Sequence, residues 1–221
     1  MKLALFSGSD MRSNRDLLSK MFGNKKNLSV AYLPSWHDGE EVREDFRNFS
    51  KKIKSFTKKV NFYSLEKKLS KQEKKALLNN SIIYIDGGNT FLLLSWIRKN
   101  NLLDKLQKFA KKNILAGQSA GAIIMTNNIK LAEIPSFTAD DNFERIKNYK
   151  SLNLTKFEFS PHYEGSDRED FELIKYSKKI NRIIYACSDE SGIFVNGSKV
   201  EFSGSGTVVQ FFKGIKVIIR D

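Results

Sequence analysis

The chain has 221 residues and a formal net charge of +13, from 38 lysines and arginines against 25 aspartates and glutamates. That length fits one α/β domain spanning 1–221, and no apolar run is long enough for a membrane helix. Cys187 is the one cysteine, so an internal disulfide is excluded. Met1-Lys2-Leu3 opens directly into an apolar run with no room for a signal peptide, and together these lead us to expect a cytoplasmic protein.

In chain order, strand-like runs occur at residues 3–6, 29–33, 60–63, 82–85, 114–116 and 183–186. Helical patterns, among them 91–99 and 167–179, alternate with these runs. This βαβα rhythm predicts a mostly parallel sheet with helices on both faces. Ser70-Lys71-Gln72-Glu73 has the form of a capping box at a helix start. Near the C-terminus, residues 192–195 and 199–202 flank Asn196-Gly197 and read as a hairpin. Residues 207–212 and 216–219 extend it into an antiparallel annex.

The positive charge raises the question of a nucleic-acid partner. Lysines cluster at 51–54, 58–59, 67–68, 71–75 and 111–112, mostly on polar helix faces or turns shared with Glu and Asn. No zinc-finger spacing or RNP-type aromatic strand accompanies them, and base-reading arginine is sparse beside lysine. A solvated lysine-rich surface is the expectation, with no nucleic-acid partner.

Two glycine turns carry the chemistry. The run 82–85 ends in Asp86-Gly87-Gly88-Asn89-Thr90 ahead of a helix. Adjacent glycines there expose backbone N–H groups that suit an anion, either a phosphate or the oxyanion of a tetrahedral intermediate. Neither a P-loop nor a dinucleotide-binding pattern is present to favour phosphate. The run 114–116 breaks into Gly117-Gln118-Ser119-Ala120-Gly121 before a second helix. Strand, tight turn and helix with one serine at the apex is the layout of a nucleophile elbow, and Ala120 would offer a second oxyanion N–H. A packing glycine pair around an N-cap serine is the alternative.

A serine nucleophile needs a base, and the chain has two histidines. His37 lies in a polar loop after residues 30–33, and His162 follows the alternating segment 157–161. Both positions follow strand-like runs, where function gathers in open α/β sheets, and His162 is favoured. The acid is open on residues alone. Asp140 or Asp141 would give the order serine, acid, histidine, whereas Glu190 or Glu164 would place the acid last.

Asp86 to Leu94, Gly117 to Ala122, Ser160-Pro161-His162-Tyr163 and Asp189-Glu190 together resemble the successive motifs of the aspartyl dipeptidases (peptidase E). Cyanophycinases are more distant relatives of that serine peptidase family. The resemblance runs nearly end to end. It implies a flavodoxin-like, class I glutamine-amidotransferase-like α/β/α sandwich of three layers. It also implies Ser119 as nucleophile, His162 as base, Glu190 as the acid orienting that base, and Gly88 and Ala120 as oxyanion donors. Asn89, Gln118 and Arg168 are then expected at the substrate, Arg168 matching an arginine that suits an acidic side chain. Asp86 stands where peptidase E has glycine, and Gln118 where it often has tryptophan.

The expectation is therefore a serine peptidase acting on small peptides, such as Asp-Xaa dipeptides, as a monomer or homodimer without metal or cofactor. A non-catalytic or differently specific small-molecule-binding member of the same fold is the alternative.

Overall fold

Buried strands flanked by turn residues build the centre of the molecule. The structure is a computed structural model that describes residues 1–10, 13–24 and 27–221. β1 (Lys2–Phe6), β2 (Ser29–Ser35), β3 (Lys59–Phe62), β4 (Ile82–Gly88) and β5 (Ile114–Gln118) run parallel. β8 (Ser191–Asn196) and β9 (Lys199–Gly204) add antiparallel beside β1. Among the described residues this gives a seven-stranded sheet in the order β3-β2-β4-β5-β1-β8-β9.

Side-chain alternation divides the core in two. Leu3, Leu5, Ala31, Leu33, Ile83 and Ile85 point to one face, where α4 (Thr90–Lys99) and α5 (Leu103–Lys112) pack. Ala4, Phe6, Val30, Tyr32, Ile82 and Tyr84 point to the other, against α1 (Arg15–Phe22) and Phe49 of α2 (Glu40–Lys52). A strand apolar at every position can bury both faces only in such a sandwich. At the start of α3 (Lys71–Leu78), Ser70 Oγ accepts from Glu73 N at 3.1 Å while Ser70 N donates to Glu73 Oε2 at 2.7 Å. This is the capping box read from the sequence.

The C-terminal third differs from the expectation. The run at 183–186 becomes β7 (Ile184–Cys187), which leaves the main sheet. It pairs parallel with β6 (Glu158–Ser160) and antiparallel with β10 (Val208–Phe212), which pairs with β11 (Ile215–Arg220). The order of this second sheet is β11-β10-β7-β6. The expected annex is thus split: the β8–β9 hairpin extends the main sheet and β10–β11 the second. Strand pairing is a non-local choice that periodicity does not carry. Ile184 and Ala186 pack toward Leu173 of α7 (Asp167–Ser177), while Cys187 joins the main core. Among the described residues no helix is long and apolar enough to cross a membrane.

This topology brings the carboxyl ends of β1, β2, β4 and β5 together at one edge, the usual place for a site in an open α/β sheet.

Candidate active site

Ser119 stands between β5 and the short α6 (Ala120–Ile123) with φ 48° and ψ −114°. A non-glycine residue in this region is strained, and such strain collects at functional positions. The turn is forced by close packing on both sides. A Cβ at Gly117 would lie 2.2 Å from the Gly121 carbonyl oxygen, and one at Gly121 would lie 2.1 Å from that of Ile85. The Ser119 N–H donates to Phe6 O at 3.0 Å, and its carbonyl accepts from Ala122 N and Ile123 N at 2.8 and 2.9 Å. With its backbone so held, the hydroxyl is presented to His162, whose Nε2 lies 2.7 Å from Ser119 Oγ.

His162 follows β6 through Pro161 and has a φ of 58°. Its backbone N–H donates to Ser7 Oγ at 2.7 Å, and Ser7 Oγ donates to Cys187 O at 2.7 Å. Tyr163 N donates to the same carbonyl at 2.9 Å. The ends of β1, β6 and β7 are thereby joined beneath the imidazole. Beyond it, the buried Glu169 accepts from Glu164 N and Gly165 N, both at 3.0 Å, and burial raises its carboxyl above the usual range.

The carboxylate against the imidazole is Asp189, whose Oδ1 lies 2.5 Å from His162 Nδ1. This corrects the expectation of Glu190. Gly8 N donates to Asp189 O at 3.2 Å, and a Cβ at Gly8 would lie 2.7 Å from the Asp189 side chain. Glu190 is turned instead to Ser188 Oγ, 3.3 Å from its Oε2, and its carbonyl accepts from Ser205 N at 3.0 Å. None of the other candidate acids is seen against the imidazole. Asp140 Oδ2 accepts from Thr90 N at 2.8 Å, and burial pushes its carboxyl up. Asp141 O accepts from Asn89 Nδ2 at 2.9 Å, and Glu164 is exposed on the loop after His162. His37 pairs with Glu66 at 3.0 Å on an exposed loop.

Gly88 closes β4 with φ 138°, and a Cβ there would lie 2.6 Å from Ser35 Oγ. Ser35 Oγ donates to Asp86 O at 3.1 Å and also to Gly87 O, bracing the turn. Ala120 directly follows Ser119 as the first residue of α6. Asn89, expected at the substrate, is buried as the cap of α4: its Oδ1 accepts from Leu92 N and its amide donates to Asp141 O, both at 2.9 Å. Gln118 does reach the site, and its Oε1 accepts from the Tyr84 hydroxyl at 3.0 Å.

Two cavities meet at Ser119 and His162. The larger, about 640 Å³, is lined also by Trp36, Tyr84, Asp86, Gly87, Gly88 and Gln118. The smaller, about 250 Å³, is mainly apolar, with Ile123, Leu131, Ile134, Pro135 and Phe137 beside Asp140 and Glu169. Arg168 lines neither. Its guanidinium packs on the Phe137 ring at 4.7 Å, reaches Ser136 Oγ at 3.3 Å and lies 3.7 Å from Glu172, with 64% of its side chain exposed. Among the described residues no three His, Cys, Asp or Glu side chains group as a metal site.

Sequence reasoning assigns no role to Asp189, Ser7 or Glu169. Asp189 did carry a signal, as the neighbour of Glu190 in the matched motif, whereas Ser7 and Glu169 carried none.

Comparison with known proteins gives one family. The model of peptidase family S51 matches residues 3–203. An uncharacterized peptidase of Listeria monocytogenes is 28% identical, the match covering 89% of this chain and 96% of that protein. Peptidase E of Actinobacillus pleuropneumoniae is 25% identical over 95% of this chain and 92% of its own length. A crystal structure of a candidate peptidase E from Listeria monocytogenes superposes with a TM-score of 0.74 at 26% identity, covering 92% of this chain and 98% of its own.

Proposed function

The chain belongs to peptidase family S51 and is a serine-type peptidase, and we propose that it cleaves small peptides with Ser119 as nucleophile, His162 as general base and Asp189 as the acid behind it. One observation carries this reading. A serine held at positive φ on a strand-to-helix turn has its hydroxyl 2.7 Å from an imidazole, and the far nitrogen of that imidazole lies 2.5 Å from a carboxylate.

Ser119 Oγ attacks the scissile carbonyl carbon as its proton passes to His162 Nε2. Asp189 keeps the other ring proton on Nδ1 and stabilises the imidazolium that forms. The N–H groups of Gly88 and Ala120 hold the oxyanion, a contribution worth about 3 kcal/mol for each donor in comparable sites. The imidazolium then protonates the departing amine, breaking the C–N bond and leaving an acyl-enzyme. Water, deprotonated by His162, attacks that ester, and Ser119 leaves with the proton returned. Two cavities meeting at one serine suit a substrate with an acyl side and a leaving side.

The test is turnover on a panel of dipeptides. Ser119→Ala should lower kcat by orders of magnitude, and adding His162→Ala should cost little more, because such groups act as a unit. Wild-type turnover in purified Ser119→Ala would overturn the reading.

A further inference from the structure

The larger cavity carries a charge that its surroundings do not explain. The chain as a whole has a net charge of +13, yet among the described residues the charged ones lining this cavity are Glu41, Asp45, Asp86 and Lys52, three acids against one cation. The Lys52 ammonium donates to Ser9 O at 3.0 Å. Arg168, the expected partner of an acidic substrate, lies outside both cavities. A carboxylate entering beside Ser119 would meet repulsion, and an ammonium would meet attraction.

Of the three acids, Asp86 is the one whose backbone lies against the serine elbow. It belongs to the glycine turn, two residues before Gly88, and its carbonyl oxygen would lie 3.0 Å from a Cβ at Gly121 in the serine elbow. The next residue, Gly87, would bring a Cβ within 3.5 Å of the Ser119 Cβ. The Asp86 carboxyl is fixed by the Tyr32 hydroxyl, which donates to Oδ2. Val42, Phe49 and Tyr84 line the same cavity, as does Trp36, which is 42% exposed. Burial of the carboxyl strengthens an ion pair made to it, and an indole ring attracts a cation.

We infer that Asp86 determines specificity by receiving a cationic amine of the substrate, which makes this a peptidase that takes a protonated amine and disfavours an acidic side chain on the acyl residue. The inference rests on Ser119 being the nucleophile that faces this cavity. Two sources share the chemistry: a basic side chain, and the free α-ammonium of an N-terminal residue. Burial raises the Asp86 carboxyl to about 6, with Asp45 adding to the shift and Lys52 opposing it, so at neutral pH the group is charged and ready to pair.

The experiment measures kcat/KM for Lys-Ala, Gly-Ala, Asp-Ala and Nα-acetyl-Gly-Ala in wild type and Asp86→Asn. Asparagine keeps an acceptor for Tyr32 and removes the charge. Wild type should cleave Asp-Ala at least tenfold less well than Gly-Ala or Lys-Ala. If a side chain is recognised, Asp86→Asn lowers the Lys-Ala to Gly-Ala ratio at least tenfold. If the α-ammonium is recognised, acetylation of Gly-Ala costs at least tenfold in wild type and much less in Asp86→Asn. A wild-type preference for Asp-Ala, or ratios untouched by Asp86→Asn, would overturn the inference. Calorimetric binding of Lys-Ala to Ser119→Ala, with and without Asp86→Asn, separates it from the catalytic reading. Binding at least tenfold weaker in the double variant, with no turnover by wild type, would sink the nucleophile and leave Asp86 standing. Turnover that ignores Asp86 would do the reverse.

Discussion

Ser7 accepts the backbone N–H of His162 at 2.7 Å, across 155 residues of chain. The hydroxyl is fully buried at the end of β1, and it donates in turn to Cys187 O at 2.7 Å. It therefore fixes where the imidazole begins, in a residue whose φ of 58° needs support. Ser7→Ala leaves the His162 N–H without its acceptor, while Cys187 O keeps Tyr163 N, at a cost of about 1–3 kcal/mol in stability. A small displacement of His162 should lower kcat by about tenfold to a hundredfold, with KM changed far less. A steady-state comparison on one dipeptide, at a temperature where both proteins are folded, makes the check. An unchanged kcat would remove Ser7 from the positioning of His162.

Asp189 and Glu190 can be separated by their amides. Asp189→Asn should lower kcat by about 10²–10⁴, because the carboxylate that fixes the imidazole tautomer is lost. Glu190→Gln should stay within a few-fold of wild type, since its side chain faces Ser188. Parallel kinetics on the two variants give the answer, and a larger loss in Glu190→Gln would reverse the assignment.

That pair also marks how far the sequence can be read. The parallel strands and their helices were legible, because β1, β2, β4 and β5 are buried on both faces and their apolar runs announce it, while edge strand β3 alternates. The elbow was legible because two glycines flank its serine at fixed spacing: Gly117 is demanded by the Gly121 carbonyl within the same turn, although the contact that demands Gly121, with Ile85 of β4, is long-range. Adjacent acids are harder. Successive side chains leave the backbone in different directions, and which one meets His162 depends on Gly8 and Asn14 holding the Asp189 carbonyl from the β1 side. The second sheet was hidden for the same reason, since nothing within residues 183–186 says which strand they will pair with.

Asp86 should make stability depend on pH. Its folded-state carboxyl is raised from 3.8 to about 6 by burial, so the folded chain holds that proton more tightly than the unfolded chain. The stabilising contribution is complete below the unfolded value and is lost as pH rises through about 6. Asp86→Asn, neutral throughout, should therefore be more stable than wild type at pH 8, by at most about 3 kcal/mol. The gap should close below pH 4. Urea unfolding at the two pH values measures it, and a variant less stable than wild type at pH 8 would contradict the sign.

The nucleophile itself can be read directly by treating the protein with a serine-reactive organophosphonate, then measuring intact mass and mapping the modified peptide. The account predicts one adduct per wild-type chain, located on Ser119, with no adduct in Ser119→Ala and strongly slowed labelling in His162→Ala. An adduct on another residue, or labelling of Ser119 that proceeds equally fast without His162, would contradict it.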